Sequence, residues 1–274
     1  MGLAWRLIVD DAAGSGVWNM AVDQAIHTAR AEGSVPPTLR IYAWARPTVS
    51  LGRFQDVAGV DLALCAEQGV DVVRRSTGGR GVLHDDEVTY SAVASVQDGV
   101  PRGVTASYRY LCAGIEEAYR ILGVDAELTR RTRGAADSAA CYLHTTPADL
   151  SLGARKLSGS AQVWSGETVL QHGSFTITRD LELESAVFRM DGPARRLMAD
   201  STATLAEGMG ETPVRSEIVR AIVEGFERGL GIALVETQLT APETLRAREL
   251  VAEAERRGIG RAERTWNTSG LSEG

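Results

Sequence analysis

The stretch Cys141–Gln162, CYLHTTPADLSLGARKLSGSAQ, holds one of three cysteines and the only lysine of the chain. Lysine and arginine together number 29, so the remaining 28 are arginine. A chain that uses arginine wherever a generic positive charge serves, yet keeps Lys156, points to a role arginine cannot fill. Lysine can lose its proton when buried and presents a compact ammonium, whereas the guanidinium stays charged and planar. Cys65 and Cys112 fall in predicted helices as small buried hydrophobes, but Cys141 follows a polar loop. With Lys156 or His144 beside it, its thiolate is favoured and the sulfur becomes a nucleophile at neutral pH. Small residues flank Lys156, Gly153 and Ala154 before it and Ser158, Gly159, Ser160 and Ala161 after it, as suits a ligand chain passing close to the backbone. Two plainer readings stand beside this one. The segment Gly153–Gln162 can be a β-hairpin with an exposed lysine, and Cys141 with His144, His84 or His172 can be a protease-type pair, although no local signature supports it.

A second candidate is Arg74-Arg75-Ser76-Thr77-Gly78-Gly79-Arg80-Gly81, with three glycines in four residues after a predicted strand. Such a loop lets backbone N–H groups approach a ligand, and the arginines suit an anionic or carbonyl-bearing one. No Gly-Lys-Ser/Thr follows, so it is not a Walker loop, and its spacing is not the dinucleotide fingerprint. A tight turn between strands is the structural alternative. His84, Asp85, Asp86 and Glu87 follow. On an extended chain alternate residues face opposite sides, so only His84 with Asp86, or Asp85 with Glu87, should converge. His84 is therefore expected as a polar wall residue beside the loop, with no metal site.

These residues need elements to hold them. Helical spacing predicts a helix over Val17–Ala31, ended by Gly33. Strands are expected over Thr38–Trp44 and Thr48–Leu51 across an Arg46-Pro47 turn, over Val70–Arg74, Val88–Val96 and Val169–Thr178. Further helices are expected over Asp61–Gln68, Ser107–Leu122 and Glu217–Leu230. Mixed helical character runs to about Leu205, and a last helix starts with a capping box, Thr240 to Glu243, and runs to Arg257. Strands and helices interleave without a βαβ rhythm. The fold class is α/β of the α+β type, a mixed, mainly antiparallel sheet with packed helices. One catalytic domain over residues 1–274 is expected, with a core of about 15–235 and a helical C-terminal extension of about 236–274.

Composition narrows the function. At 274 residues, 44% hydrophobic, with mean hydropathy −0.10, the chain can bury a sizeable core. A net charge of −7 and a pI near 5.3 argue against nucleic-acid binding. No apolar run reaches the roughly 18 residues of a membrane span, and the N-terminus carries neither a signal-peptide nor a myristoylation pattern. Three widely spaced cysteines make neither a disulfide framework nor a zinc site. A reduced, cytoplasmic, monomeric protein is expected.

Each motif is weak alone; their order is specific. Arg-Arg-x-Thr-Gly-Gly-Arg-x-Val-Leu-His-Asp-x-Glu-x-Thr-Tyr-Ser from Arg74 to Ser91, then Cys141, then Gly-x-Arg-Lys-x-x-Gly-Ser-Ala-Gln from Gly153 to Gln162, resembles the biotin/lipoate protein ligase and lipoyl-transferase superfamily. Asn19–Asp23, Thr38–Tyr42, Leu51–Gln55, Leu170–Ser174 and the late Trp266-Asn267 agree. Adenylating lipoate ligases usually carry a Gly-Asn pair after the His-Asp, need an accessory domain and do not need the cysteine. The related amidotransferase that moves octanoyl between proteins lacks the His-Asp-x-Glu-x-Thr-Tyr sequence. The resemblance is therefore to LipM-type octanoyltransferases, in which a cysteine and a lysine fifteen residues apart, as at Cys141 and Lys156, do the chemistry.

That resemblance implies the superfamily's catalytic-domain fold, with Cys141 and Lys156 catalytic. Substrate would meet Arg74, Arg75, Ser76, Thr77, Gly78, Gly79, Arg80, Gly81 and His84 on one side and Gly159, Ser160 and Ala161 on the other. It implies octanoyl-acyl carrier protein as donor, an apo lipoyl domain such as the glycine-cleavage H protein as acceptor, and neither cofactor nor metal. Its rival within the superfamily is an ATP-dependent lipoate ligase with a separate accessory chain. Gly81 departs from the usual alanine. Arg130, Arg131 and Arg133 lie in an unusually basic stretch that could dock an acidic carrier protein.

Overall fold

In the computed structural model, which describes residues 4–129, 139–141 and 149–258 and the backbone alone of Arg133–Gly134 and His144–Thr145, strand β1 (Ala4–Val9) leads into helix α1 (Gly16–Ala31). Ser15 caps α1 by accepting from the Trp18 N–H, satisfying one of the amides a helix start leaves free. Strands β2 (Thr38–Tyr42) and β3 (Thr48–Leu51), helix α2 (Leu62–Glu67), and strands β4 (Asp71–Arg74), β5 (Val82–His84) and β6 (Glu87–Ser95) follow. Helix α3 (Val104–Ile121) then leads to the short strands β7 (Glu127–Leu128), β8 (Arg133–Gly134) and β9 (His144–Thr145). The lysine segment forms β10 (Leu150–Leu152), β11 (Arg155–Ser158) and β12 (Ser160–Ser165), and β13 (Thr168–Thr176) returns alongside. The stretch of mixed helical character is α4 (Leu181–Val187), α5 (Gly192–Ser201) and α6 (Leu205–Met209). Helix α7 (Arg215–Leu230), strand β14 (Ala233–Glu236) and helix α8 (Ala241–Arg257) complete the described chain.

Six strands form the main sheet in the order β12-β13-β6-β2-β1-β14. The pairs β12–β13, β13–β6 and β6–β2 are antiparallel, while β2–β1 and β1–β14 are parallel. The sheet is mixed and mainly antiparallel, as expected. All nine residues of β6 are buried, because helices cover both faces. Its period of two divides them: Val88, Tyr90, Ala92 and Ala94 face the cluster built on α3 and α7 with Ile115, Ile222 and Phe226, while Val93 faces Val22, Ile26 and Ala247 of α1 and α8. Thr240 and Glu243 make the expected capping box at α8, and the same Glu243 carboxylate takes a two-pronged ion pair from Arg6 of β1.

A second sheet, β4-β3-β5, packs with α2, α4 and α5 around Val49, Leu51, Leu83 and Phe188. The two strands expected across Arg46-Pro47 therefore part company, β2 joining the main sheet and β3 the second. A third sheet, β11-β10-β7, carries the lysine. Among the described residues no helix is long and apolar enough to cross a membrane.

Candidate active site

Where the second and third sheets meet the main one lies a narrow pocket of about 70 Å³. Met20, Trp44, Arg75, His84, Cys141 and His172 are among its walls, with Gly79, Gly159 and the start of β12 at Ser160 and Ala161. The glycine loop and the lysine segment, far apart in sequence, thus line one space with the half-buried Cys141. Arg74, Ser76, Thr77, Gly78, Arg80 and Gly81 are not among the residues that line it.

The lysine is placed by its hairpin. In β11 its backbone pairs with Ser151 of β10, and its carbonyl accepts from the Ala203 N–H at 2.8 Å. The neighbouring Leu157 is fully buried. Held on both sides, Lys156 points inward at 2% exposure. The segment Gly153–Gln162 is not itself a hairpin, since β11 and β12 lie in different sheets; the hairpin is β10–β11, and its lysine is buried. Its Nζ lies 3.1 Å from Asp149 Oδ2, 3.4 Å from the Cys141 carbonyl and 3.7 Å from Cys141 Sγ. Burying an ammonium is expensive unless it is paired, and Asp149, 4% exposed, is a counter-charge. Gly159 leaves room for this: a Cβ there would stand 3.0 Å from Lys156 Cε and 3.1 Å from both Nζ and Asp149 Oδ1.

The cysteine is stitched to the glycine loop. The Gly81 N–H donates to Ala139 O at 3.0 Å, and the Cys141 N–H donates to Gly81 O at 2.8 Å. Gly81, the departure from the usual alanine, has a local reason, since a Cβ there would come within 2.6 Å of the Phe188 ring. The loop in turn clasps a turn after β3. A Cβ on Gly52 would strike Gly79 O at 2.0 Å, so the two backbones touch. Arg74 braces that turn, donating to the carbonyls of Gly52 and Gln55 at 2.8 and 2.7 Å.

Arg75 organises the pocket wall. Its Nη2 donates to the Gly78 and Arg80 carbonyls, its Nη1 to the Ser50 carbonyl and hydroxyl, and its Nε to Thr77 Oγ1. Two relays start from those hydroxyls. Ser50 reaches His84 Nε2 at 2.8 Å, and His84 Nδ1 reaches Glu87 Oε1 at 2.8 Å. Thr77 reaches His172 Nε2 at 2.7 Å, and His172 Nδ1 reaches Asp23 Oδ2 at 3.3 Å. Arg75 spends its hydrogens on the protein's own oxygens and thereby shapes the loop expected to meet the ligand.

His84 and Glu87 converge, against the alternation argument, because the strand does not run through. β5 ends at His84, β6 begins at Glu87, and the bend between them brings the two onto one side. Trp44 stacks on His84 with ring centroids 4.1 Å apart and donates its indole N–H toward Glu87 and Thr89. Burial pushes the Glu87 carboxyl up, but His84 with the Ser174 and Thr89 hydroxyls holds it below the usual carboxylate value. Burial likewise favours protonation of Asp23, and His172, Arg40 and Ser91 outweigh it. Burial keeps His172 below its ordinary value despite Asp23 beside it. Burial also lowers Arg75, opposed by the charge of Cys141. The described residues contain no cluster of three groups able to hold a metal.

Sequence reasoning passed over Asp149, Ser50, Asp23 and the part of His172. Asp149 had a signal: it is the only carboxylate between Cys141 and Gln162. Asp23 and His172 are 149 positions apart and carry no local one. Arg130, Arg131, Tyr142, Trp266 and Asn267, and the side chains of Arg133 and His144, lie outside the described residues.

Known proteins bear on this geometry. Residues 15–227 match the lipoyl protein ligase A/B catalytic domain family. A protein named octanoyltransferase LipM from Kyrpidia tusciae is 40% identical over 261 residues, covering 90% of this chain and 95% of the relative. One of the same name from Symbiobacterium thermophilum is 40% identical over 259 residues, covering 90% and 94%. Among solved structures, a lipoate-protein ligase A bound with ATP superposes with TM-score 0.76 at 27% identity, covering 92% of this chain and 95% of its own. A bipartite lipoate protein ligase from Thermoplasma acidophilum gives 0.76 at 25% identity, with 99% of each chain covered. The expected fold is thus found, and this chain belongs to the lipoyl protein ligase A/B catalytic domain family.

Proposed function

We propose that this acyltransferase moves an octanoyl group from octanoyl-acyl carrier protein, through a thioester on Cys141, to the specific lysine of an apo lipoyl domain, with the glycine-cleavage H protein as the expected acceptor. The observation that carries the reading is the buried Lys156 Nζ 3.7 Å from Cys141 Sγ, in a chain whose near full-length relatives bear the name octanoyltransferase.

The ammonium of Lys156 stabilises the Cys141 thiolate by charge. The thiolate attacks the carrier's thioester carbonyl; a new C–S bond to Cys141 forms and the bond to the carrier breaks. The departing carrier thiolate takes a proton from Lys156. The Cys141 N–H is already given to Gly81 O, so Lys156 Nζ is the better-placed donor for the developing oxyanion. In the second half the acceptor amine attacks, an amide forms, Cys141 leaves as thiolate, and Lys156 takes up one of the amine's protons. Neither ATP nor a metal enters this sequence.

The test is the intact mass after mixing with octanoyl-acyl carrier protein without ATP. An octanoyl adduct labile to hydroxylamine is expected on the wild type and absent from Cys141→Ala. Acyl transfer that needs ATP with free octanoate or lipoate, and survives Cys141→Ala, would overturn the reading in favour of a ligase.

A further inference from the structure

The acyl-transfer sequence makes no use of one buried charge that touches its machinery. Asp149 is 4% exposed, and its Oδ2 lies 3.1 Å from Lys156 Nζ, closer than the sulfur at 3.7 Å. Two of the ammonium's partners, the sulfur and the carboxylate, differ in kind. The thiolate of Cys141 is a counter-charge only until the sulfur is acylated, for a thioester carries no charge. The carboxylate stays.

Other charged and titratable groups stand around the pair. Arg75 faces Cys141 across the pocket, and Arg155, next to Lys156 in β11, turns to Glu207 at the surface. From α3, Tyr108 and Cys112 face Asp149; burial drives both to hold their protons, so neither brings a charge. A lysine this buried without a carboxylate loses its proton readily, since burial disfavours the charged form.

We propose that Asp149 is a positioning residue that sets the basicity of Lys156 in the acylated state of the enzyme, when Cys141 no longer carries a charge. In that state Lys156 must recover a proton, and the incoming amine must lose one. A carboxylate 3.1 Å from Nζ favours this transfer, and it holds Nζ toward the sulfur throughout. The close fit at Gly159, whose Cβ would press on both Nζ and Asp149 Oδ1, marks the pair as one packed unit. The inference rests on the acyl-transfer reading, but its central measurement needs no acyl donor.

The chain holds a single lysine, so protein labelled with [ε-15N]lysine gives one side-chain resonance. In a Cys141→Ala background, which removes the sulfur's charge as acylation does, the ionisation midpoint of Lys156 is followed with and without Asp149→Asn. The expected result is a midpoint lower by about one pH unit or more once the carboxylate is gone. With Cys141 intact, Asp149→Asn is expected to slow the amide-forming half-reaction about tenfold or more while the KM for the carrier stays within about twofold. Asp149→Ser, which leaves space for a water, is the second variant and replaces Asp149→Asn should that one fail to fold. Equal midpoints with and without the carboxylate would overturn the proposal, as would an unchanged amide-forming rate. A lowered midpoint in a protein that never takes an octanoyl adduct would sink the acyl-transfer reading instead.

Discussion

Two buried cations flank the Cys141 sulfur, and they are built in opposite ways. Arg75, on the glycine-loop side, gives all five guanidinium hydrogens to the protein's own neutral oxygens, and among the described residues it has no carboxylate partner. Lys156, on the hairpin side, divides a compact ammonium between a carboxylate, a carbonyl and the sulfur. The guanidinium fork fixes a loop because its five donors point in set directions and its charge never leaves. The ammonium fixes little but can give up a proton and take it back. On the proposed mechanism one cation is scaffold and the other is chemistry, and the choice of side chain follows the task.

Exchanging the two side chains is the hardest test of that contrast. Lys156→Arg is expected to lower acyl transfer about 10³-fold, measured as the rate of adduct formation, because the fork cannot exchange the proton. Arg75→Lys should instead act first on the fold. Orphaning buried carbonyls and hydroxyls while leaving an ammonium without a carboxylate is expected to cost about 3 kcal/mol, a fall in Tm of about 6–12 °C by calorimetry. A stable Arg75→Lys protein, or an active Lys156→Arg one, would break the division of labour. Gly159→Ala sharpens it: the added Cβ crowds Nζ and Asp149, so the transfer rate should fall about tenfold with Tm changed by about 2 °C or less.

The smallest effect concerns the relay from Arg75 to Asp23. His172 is held below its ordinary value of 6.5 in the fold. Its contribution to stability is thus complete above pH 6.5 and lost as pH falls toward the folded value. Tm is expected to decline between pH 7.5 and 5.5, and His172→Gln should flatten that decline by about one or two degrees. His27, also lowered by burial, supplies part of the remaining slope.

The chemistry was more legible than the scaffold that aims it. Counting residue types alone isolates Lys156, and order along the chain ties it to Cys141 and the glycine loop. The helical stripe of α1 and the span of β3 are visible because one face of each alternates cleanly with the other. Strands β1 and β14 are not visible: they pair in parallel at one side of the sheet, and β1 interrupts its apolar run with Arg6, whose partner Glu243 is 237 positions away. The two imidazole relays are hidden for the same reason. Ser50 and His84 meet as diagonal neighbours on the paired strands β3 and β5, and Thr77 and His172 meet where the glycine loop closes on the main sheet; no local spacing records either contact. The His84–Glu87 contact was missed through a true rule applied across a bend that the chain pattern does not announce.

Of the many basic side chains, the one primary amine on a lysine is 2% exposed and lies beside the Cys141 sulfur. Every other position that wants a positive charge carries a guanidinium, a group that thioesters and activated esters do not acylate under mild conditions. For a chain whose proposed product is an acylated lysine, this means that its own exterior presents no competing lysine target. The proposed acyl-enzyme would persist beside a crowd of neighbouring copies without marking their lysines, and amine-directed dyes or crosslinkers should find the surface equally bare of them.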